Sequence, residues 1–285
     1  MVDIIMTHLL DRKTQRGALN ALKFGVCAVI MFATQEAHAT PTFVKGALNE
    51  LSFNTYQNLV DVDKNGGPTP GDIFYGILNV TRIASGGTTR WDANNVPGPG
   101  IDSFSGYYAA SITSFVALPS PWAGAVTLGP ASFDPNGIFS AADLAAGTMV
   151  KLFTDSGTPF ESNGSVADDI TKATDGAFWA SFGFPGGYWN VTVMNSGQIL
   201  GLGGLNLAAN SSGLNLINIV DPGCSTCAPV QQYFNTVAKD TGANNTWRYI
   251  GANNAYIHPA PEPAATWLMG IGMMGLYFTR RKMTR

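Results

Sequence analysis

The sequence predicts a mostly β fold, an antiparallel sandwich or a barrel-like ectodomain with one short helix. Three observations carry that reading. Short runs of β-branched and aromatic residues recur between Gly, Pro, Asn and Asp clusters. After Thr40-Pro41 no long stretch shows helical periodicity. Charged residues make up only 12% and glycine 33 of 285 positions, a balance that suits an extracytoplasmic β protein better than a cytosolic enzyme.

Taken in order, Leu51 to Val60 alternates in part and reads as a first strand. Asp72 to Ile83, DIFYGILNVTRI, and Gly106 to Leu118, GYYAASITSFVAL, are the strongest strand signals. Met149 to Thr154, Ala177 to Phe184, Tyr188 to Met194, Leu214 to Val220 and Thr246 to Ile250 follow, which makes about eight candidates. Ser140 can N-cap a short helix over Ala141 to Ala146, with Asp143 completing a capping box and Gly147 ending it. Residues 84–103 and 119–138 read as long loops. Gly197 to Gly213 is too rich in Gly, Asn and Leu to assign. Residues 251–260 are polar and proline-bearing and read as a linker.

The two ends have a different character. Arg12, Lys13, Arg16 and Lys23 form a basic region ahead of an apolar run from Phe24 to Ala33. Ala37-His38-Ala39 then supplies a small-x-small cleavage site, so residues 1–39 read as a signal peptide and its helix. Cys27 follows Phe24-Gly25-Val26, which does not fit a lipobox. At the other end, Pro261-Glu262-Pro263 breaks any incoming helix. Residues 264–279 then form an apolar candidate transmembrane helix. Its core from Ala264 to Phe278 is about 15 residues, roughly 22 Å as a helix, and so short of the roughly 20 residues of a usual span. Arg280, Arg281, Lys282 and Arg285 form a basic stop that favours the cytoplasmic side.

This order of Pro-Glu-Pro, apolar helix and Arg/Lys cluster resembles the PEP-CTERM sorting signal of Gram-negative bacteria, a motif also labelled the ice-binding protein C-terminal domain. The resemblance implies export, transient anchoring in the inner membrane, and processing near Pro261, Glu262 and Pro263 by an exosortase-type enzyme. It leaves the protein at the surface or in an exopolysaccharide matrix. NLVDVDKNGGPTPGDIFYGILNV, FSAADLAAGTMVKLFTD and TDGAFWASFGFPGGYW are similar to an ectodomain family that often accompanies this tail. That second resemblance implies shared sorting and no reaction. The organisation is therefore a signal peptide (1–39), a β-rich domain (40–250), a linker (251–260) and a sorting signal (261–285).

The ends carry eight of the sixteen Lys/Arg and four of the nineteen Asp/Glu. The domain between them keeps eight basic and fifteen acidic residues, net −7. Such a surface repels nucleic acid and can hold divalent cations.

Asp61, Asp63 and Asn65, followed by Gly66 and by Asp72 at the twelfth position, match the spacing of an EF-hand-type Ca2+ loop. Against it stand the shorter Asp at position twelve, Pro68 and Pro70 in the second half, and strands where an EF-hand needs helices. The competing reading is a polar hairpin loop. Cys224 and Cys227 are the cysteines left after signal removal, and in an oxidising compartment they read as a loop disulfide. A redox or zinc role fits less well, because Pro229 follows closely and the one histidine left in the mature chain, His258, lies in the linker. That lone histidine also argues against triad catalysis, and the chain reads as a non-enzyme with a structural or adhesive role. The alternatives are a carbohydrate-binding module, using aromatics such as Trp179, Tyr188 and Trp189, and a glycan hydrolase, using two of Asp155, Glu161, Asp168, Asp169 and Asp175.

Overall fold

The computed structural model describes residues 41–93, 103–155 and 160–261. Ala37 and Ala39 of the signal site lie outside the described residues, as do Glu262, Pro263, the apolar segment 264–279 and Arg280, Arg281 and Lys282.

Among the described residues ten antiparallel strands form the domain: β1 (Asn49–Val60), β2 (Ile73–Ser85), β3 (Thr88–Asp92), β4 (Ser103–Ala117), β5 (Trp122–Pro130), β6 (Thr148–Asp155), β7 (Ala177–Met194), β8 (Gln198–Asn210), β9 (Gln232–Asp240) and β10 (Tyr249–Ile257). They close into an eight-stranded barrel. The circuit runs β2, β1, β10, β9, β8, β7, then to β4 and back to β2. Between β4 and β7 one position is shared end to end. β6 pairs with the first halves of both strands and β5 with their second halves. β3 extends β2 past the end of β4.

Strand β1 shows how the sequence makes the wall. Leu51, Phe53, Thr55 and Gln57 are buried inward, while Glu50, Ser52, Asn54 and Tyr56 face out, the period-two pattern of a half-buried strand. β2 and β4 read as continuous apolar runs because both of their faces are covered. Leu78, Val80, Tyr108 and Ile112 point into the barrel. Ile73, Ile77, Tyr107 and Ala109 form a second core on the outside. Two helices and their flanking loops make that cover: α1 (Ala141–Ala145) and α2 (Val166–Thr174). Both start with a complete capping box, Ser140 with Asp143 and Ser165 with Asp168.

Several expectations change. The barrel is one of the two expected forms, but the described residues hold two helices where one was expected in the domain. Residues 251–257 are no linker: β10 is bonded on one side to β1 and on the other to β9. Leu214 to Val220 is not a strand of the barrel but a crossing segment with single bridges from Leu216 to Pro259 and from Ile219 to Val230. The expected loops hold β3 and β5, and the unassigned glycine-rich stretch is β8. Ala177–Phe184 and Tyr188–Met194 join as β7, bent where the β8 register shifts between Gly183 and Tyr188. Gly186 sits there at φ +71°, a left-handed conformation that favours glycine.

One buried carboxylate ties the outer cover to the barrel. Asp169 is fully buried and accepts from Ser162 Oγ at 2.8 Å, Gly164 N at 3.1 Å and Trp247 Nε1 at 2.8 Å. Asp169→Ala leaves three donors unsatisfied and should destabilise the fold by about 3 kcal/mol. The chemical-denaturation midpoint reads this, and a loss below about 1 kcal/mol would contradict the assignment.

Candidate functional site

The register fixes what lies at each end of the barrel. Asn49 pairs with Ile257, and both chain ends leave at that pole. The β1–β2 loop, residues 61–72, lies at the opposite pole, about 35 Å away along β1.

That loop gathers three of the four expected ligands. Carboxylate oxygens of Asp61, Asp63 and Asp72 lie within 4.8 Å of one another, a spread that two Ca2+–O bonds of roughly 2.4 Å can bridge. The backbone is tightly turned, with Lys64 at φ +57° and Gly66 at φ +84°. Asp61 accepts from Gly66 N at 2.7 Å and Asn65 N at 3.1 Å. The Gly66 bond is the main reason its carboxyl is held below the usual range. Asp72 is buried and braces the loop from inside, accepting from Val62 N and Thr69 N, both at 2.8 Å. Asn65 departs from the ligand pattern. Its Nδ2 donates to Asp63 Oδ2 at 2.8 Å, and its Oδ1 accepts from Gly67 N at 2.9 Å. The loop thus satisfies itself by hydrogen bonds while keeping three carboxylates convergent.

The barrel interior is a feature that the sequence reading missed. It holds an inner cavity of about 50 Å³ and, toward the acidic-loop pole, an outer one of about 240 Å³. Both are mostly apolar, and Trp189 borders both. At the outer rim Arg248 Nε donates to Asp240 Oδ2 at 3.2 Å. Tyr108 Oη, Trp189 Nε1 and Gln232 Oε1 are buried on the inner lining without a hydrogen-bond partner among the described residues. Each such group costs about 1–3 kcal/mol while unpaired. Inward polar positions on an apolar face give no signal until the strand register is known.

Of the five carboxylates considered for hydrolysis, two are engaged in holding the second helix and its flanking loop. Asp168 caps α2 through Ser165, whose hydroxyl bond holds its carboxyl down, and Asp169 is consumed by its three donors. Glu161 is exposed, with Asn163 Nδ2 at 3.3 Å. Asp175 is pushed up by burial and then by Asp155, but no cavity adjoins it among those described. The aromatics proposed as a sugar platform are not in a row on one surface. Trp189 is inside the barrel, Trp179 stacks on Phe43 at 5.4 Å, and Tyr188 donates to Asp221 Oδ2 at 2.6 Å.

Cys224 and Cys227 form a disulfide in the loop that follows the crossing segment, with Cα atoms 5.4 Å apart. Asp221 organises the turn before it, accepting from Gly223 N at 2.7 Å. Two segments pin the approach to the tail: Ala260 N donates to Asn215 O of the crossing segment at 2.6 Å, and Gly46 N, ahead of β1, donates to Pro259 O at 2.8 Å. The described chain ends one residue later, at Pro261.

The PEP-CTERM protein-sorting motif matches residues 259–282. The chain carries a PEP-CTERM sorting motif. The motif marks it for export and for an exosortase-type sorting partner. No curated protein and no solved structure matches the chain. No helix among the described residues is long and apolar enough to cross a membrane.

Acid should weaken the domain through groups held below their usual pKa. At Asp143 burial raises the carboxyl, but the Lys151 ammonium at 2.7 Å and Ser140 outweigh it and lower it. A lowered folded-state pKa gives stability that is present above the unfolded value, about 4, and lost as pH falls through the folded value. The denaturation midpoint should therefore drop below about pH 4, and Asp143→Asn should flatten part of that drop. Identical pH profiles for variant and wild type would contradict the pairing.

Proposed function

We propose that this is an exported, non-enzymatic protein of the cell surface or exopolysaccharide matrix, held by one pole and presenting the other. The observation that carries the reading is the shared exit of both chain ends beside Asn49 and Ile257, opposite the acidic loop. Only two residues separate Pro261 from the apolar segment that begins at Ala264. That length of chain reaches at most about 11 Å. Before processing, the folded pole therefore sits close against the membrane, and the acidic loop points away from it. The role is structural or adhesive, with polar loop groups meeting matrix polymer.

Sorting is tested by intact mass and location in the native host. The wild type should be shortened near residues 261–263 and leave the membrane. A variant with Pro261→Ala, Glu262→Ala and Pro263→Ala should keep its tail and stay there. Equal mass and location for both would contradict sorting by this motif. The adhesive role predicts that Asp61→Asn with Asp63→Asn lowers the fraction retained in washed matrix, and equal retention would count against it.

Calcium-assisted carbohydrate binding is the second reading, favoured by the convergence of Asp61, Asp63 and Asp72. Titration with calcium chloride should then release or take up heat and raise Tm in the wild type but not in Asp61→Ala. No heat and no Tm gain in the wild type would remove the calcium site.

A further inference from the structure

We propose that the barrel interior is a binding site for a small, neutral, mostly apolar molecule carrying one hydroxyl-like polar end. This goes beyond the sorting and matrix reading, which makes no use of the interior.

Two independent features point to a ligand. The first is space. The outer cavity, about 240 Å³, exceeds the roughly 150 Å³ of an engineered apolar cavity that takes up benzene. Its walls include Phe74, Phe115, Val191 and Ile199, with no charged side chain except the Arg248–Asp240 pair at the rim. A charged ligand would have to lose its water there without an opposite charge to meet it.

The second is a set of unpaired polar atoms at the inner end. Tyr108 is 3% exposed, Trp189 5% and Gln232 9%, and Tyr108 Oη, Trp189 Nε1 and Gln232 Oε1 have no partner among the described residues. The Tyr108 and Trp189 rings meet edge to face at 6.0 Å, and Trp189 meets Phe234 at 5.3 Å, two residues along β9 from Gln232. All three residues line the inner cavity. Together they offer an N–H donor, a hydroxyl and a carbonyl acceptor. A ligand hydroxyl in this cavity can accept from Trp189 Nε1.

The backbone makes room for these groups by omitting side chains. A Cβ on Gly201 would stand 3.0 Å from Trp189 Nε1 and 2.2 Å from Thr236 Oγ1. One on Gly76 would stand 2.9 Å from Tyr108 Oη. The ligand enters polar end first. Its head occupies the inner cavity of about 50 Å³, and its apolar body fills the outer one.

Phenol and benzene are the probes, since they share a ring and differ by the hydroxyl. Titration calorimetry on the exported protein should show one phenol per chain, bound at least about tenfold more tightly than benzene. Trp189→Phe keeps a ring and removes the N–H, so it should bind both probes and lose most of that preference. Ala238→Phe fills the outer cavity and should abolish both bindings; if it fails to fold, Trp189→Phe alone decides. No saturable binding of either probe would overturn the proposal. So would equal affinities in the wild type, or a preference unchanged in Trp189→Phe.

Discussion

Backbone hydrogen bonds between the first strand and the last are the constraint on which the structure depends. β1 and β10 lie side by side from Asn49–Ile257 to Gln57–Tyr249. Without that ladder, both strands would expose a row of unpaired N–H and C=O groups, the usual liability of an open sheet. Closure removes those edges and creates an interior. It also brings the two chain ends to one pole. The shared pole of Asn49 and Ile257 and the enclosed lumen are both consequences of that single pairing.

The interior shows what closure at eight strands allows. A barrel of this size is just wide enough to be filled by its own side chains or to hold one small molecule. Here Leu51, Phe53, Val80 and Leu205 fill much of it, while Gly76, Gly201 and Gly203 withhold side chains along the wall. Polar groups enter this apolar space under two conditions. Thr55 is satisfied within the protein, accepting from Gln57 Nε2 and Asn253 Nδ2 at 2.8 Å. Tyr108, Trp189 and Gln232 are not. That contrast separates framework from candidate site, because buried polar atoms in folded proteins rarely go unpaired.

The strands readable in the sequence were those whose burial follows a simple rule. β1 alternates because solvent covers its outer face. β2 and β4 run apolar because the barrel and the outer cover bury both faces. β8 was hidden by its glycines, which read as loop but serve close packing: a Cβ on Gly203 would come 2.3 Å from the Phe234 ring. β10 looked like a linker because Asn253, Asn254 and Gly251 are poor strand formers. Yet Asn253 Oδ1 accepts from Val237 N in place of a ladder bond, and the pairing there supplies what propensity does not. The second helix carries the same Ser-x-x-Asp signal as the first, at Ser165 and Asp168, although only one helix was expected. Of the acidic loop, the spacing of Asp61, Asp63 and Asp72 was legible. That Asp72 would face inward as a brace, and Asn65 turn its amide toward Asp63, required the fold.

Amide hydrogen exchange along β10 tests the closed barrel most directly. If β10 closes it, the amides from Asn254 to Ile257 are protected to the same degree as those of β1, and both exchange only with global unfolding. Exchange of residues 251–257 at the rate of an open chain, with β1 still protected, would contradict closure. The shared pole of the chain ends and the enclosed interior would fall with it.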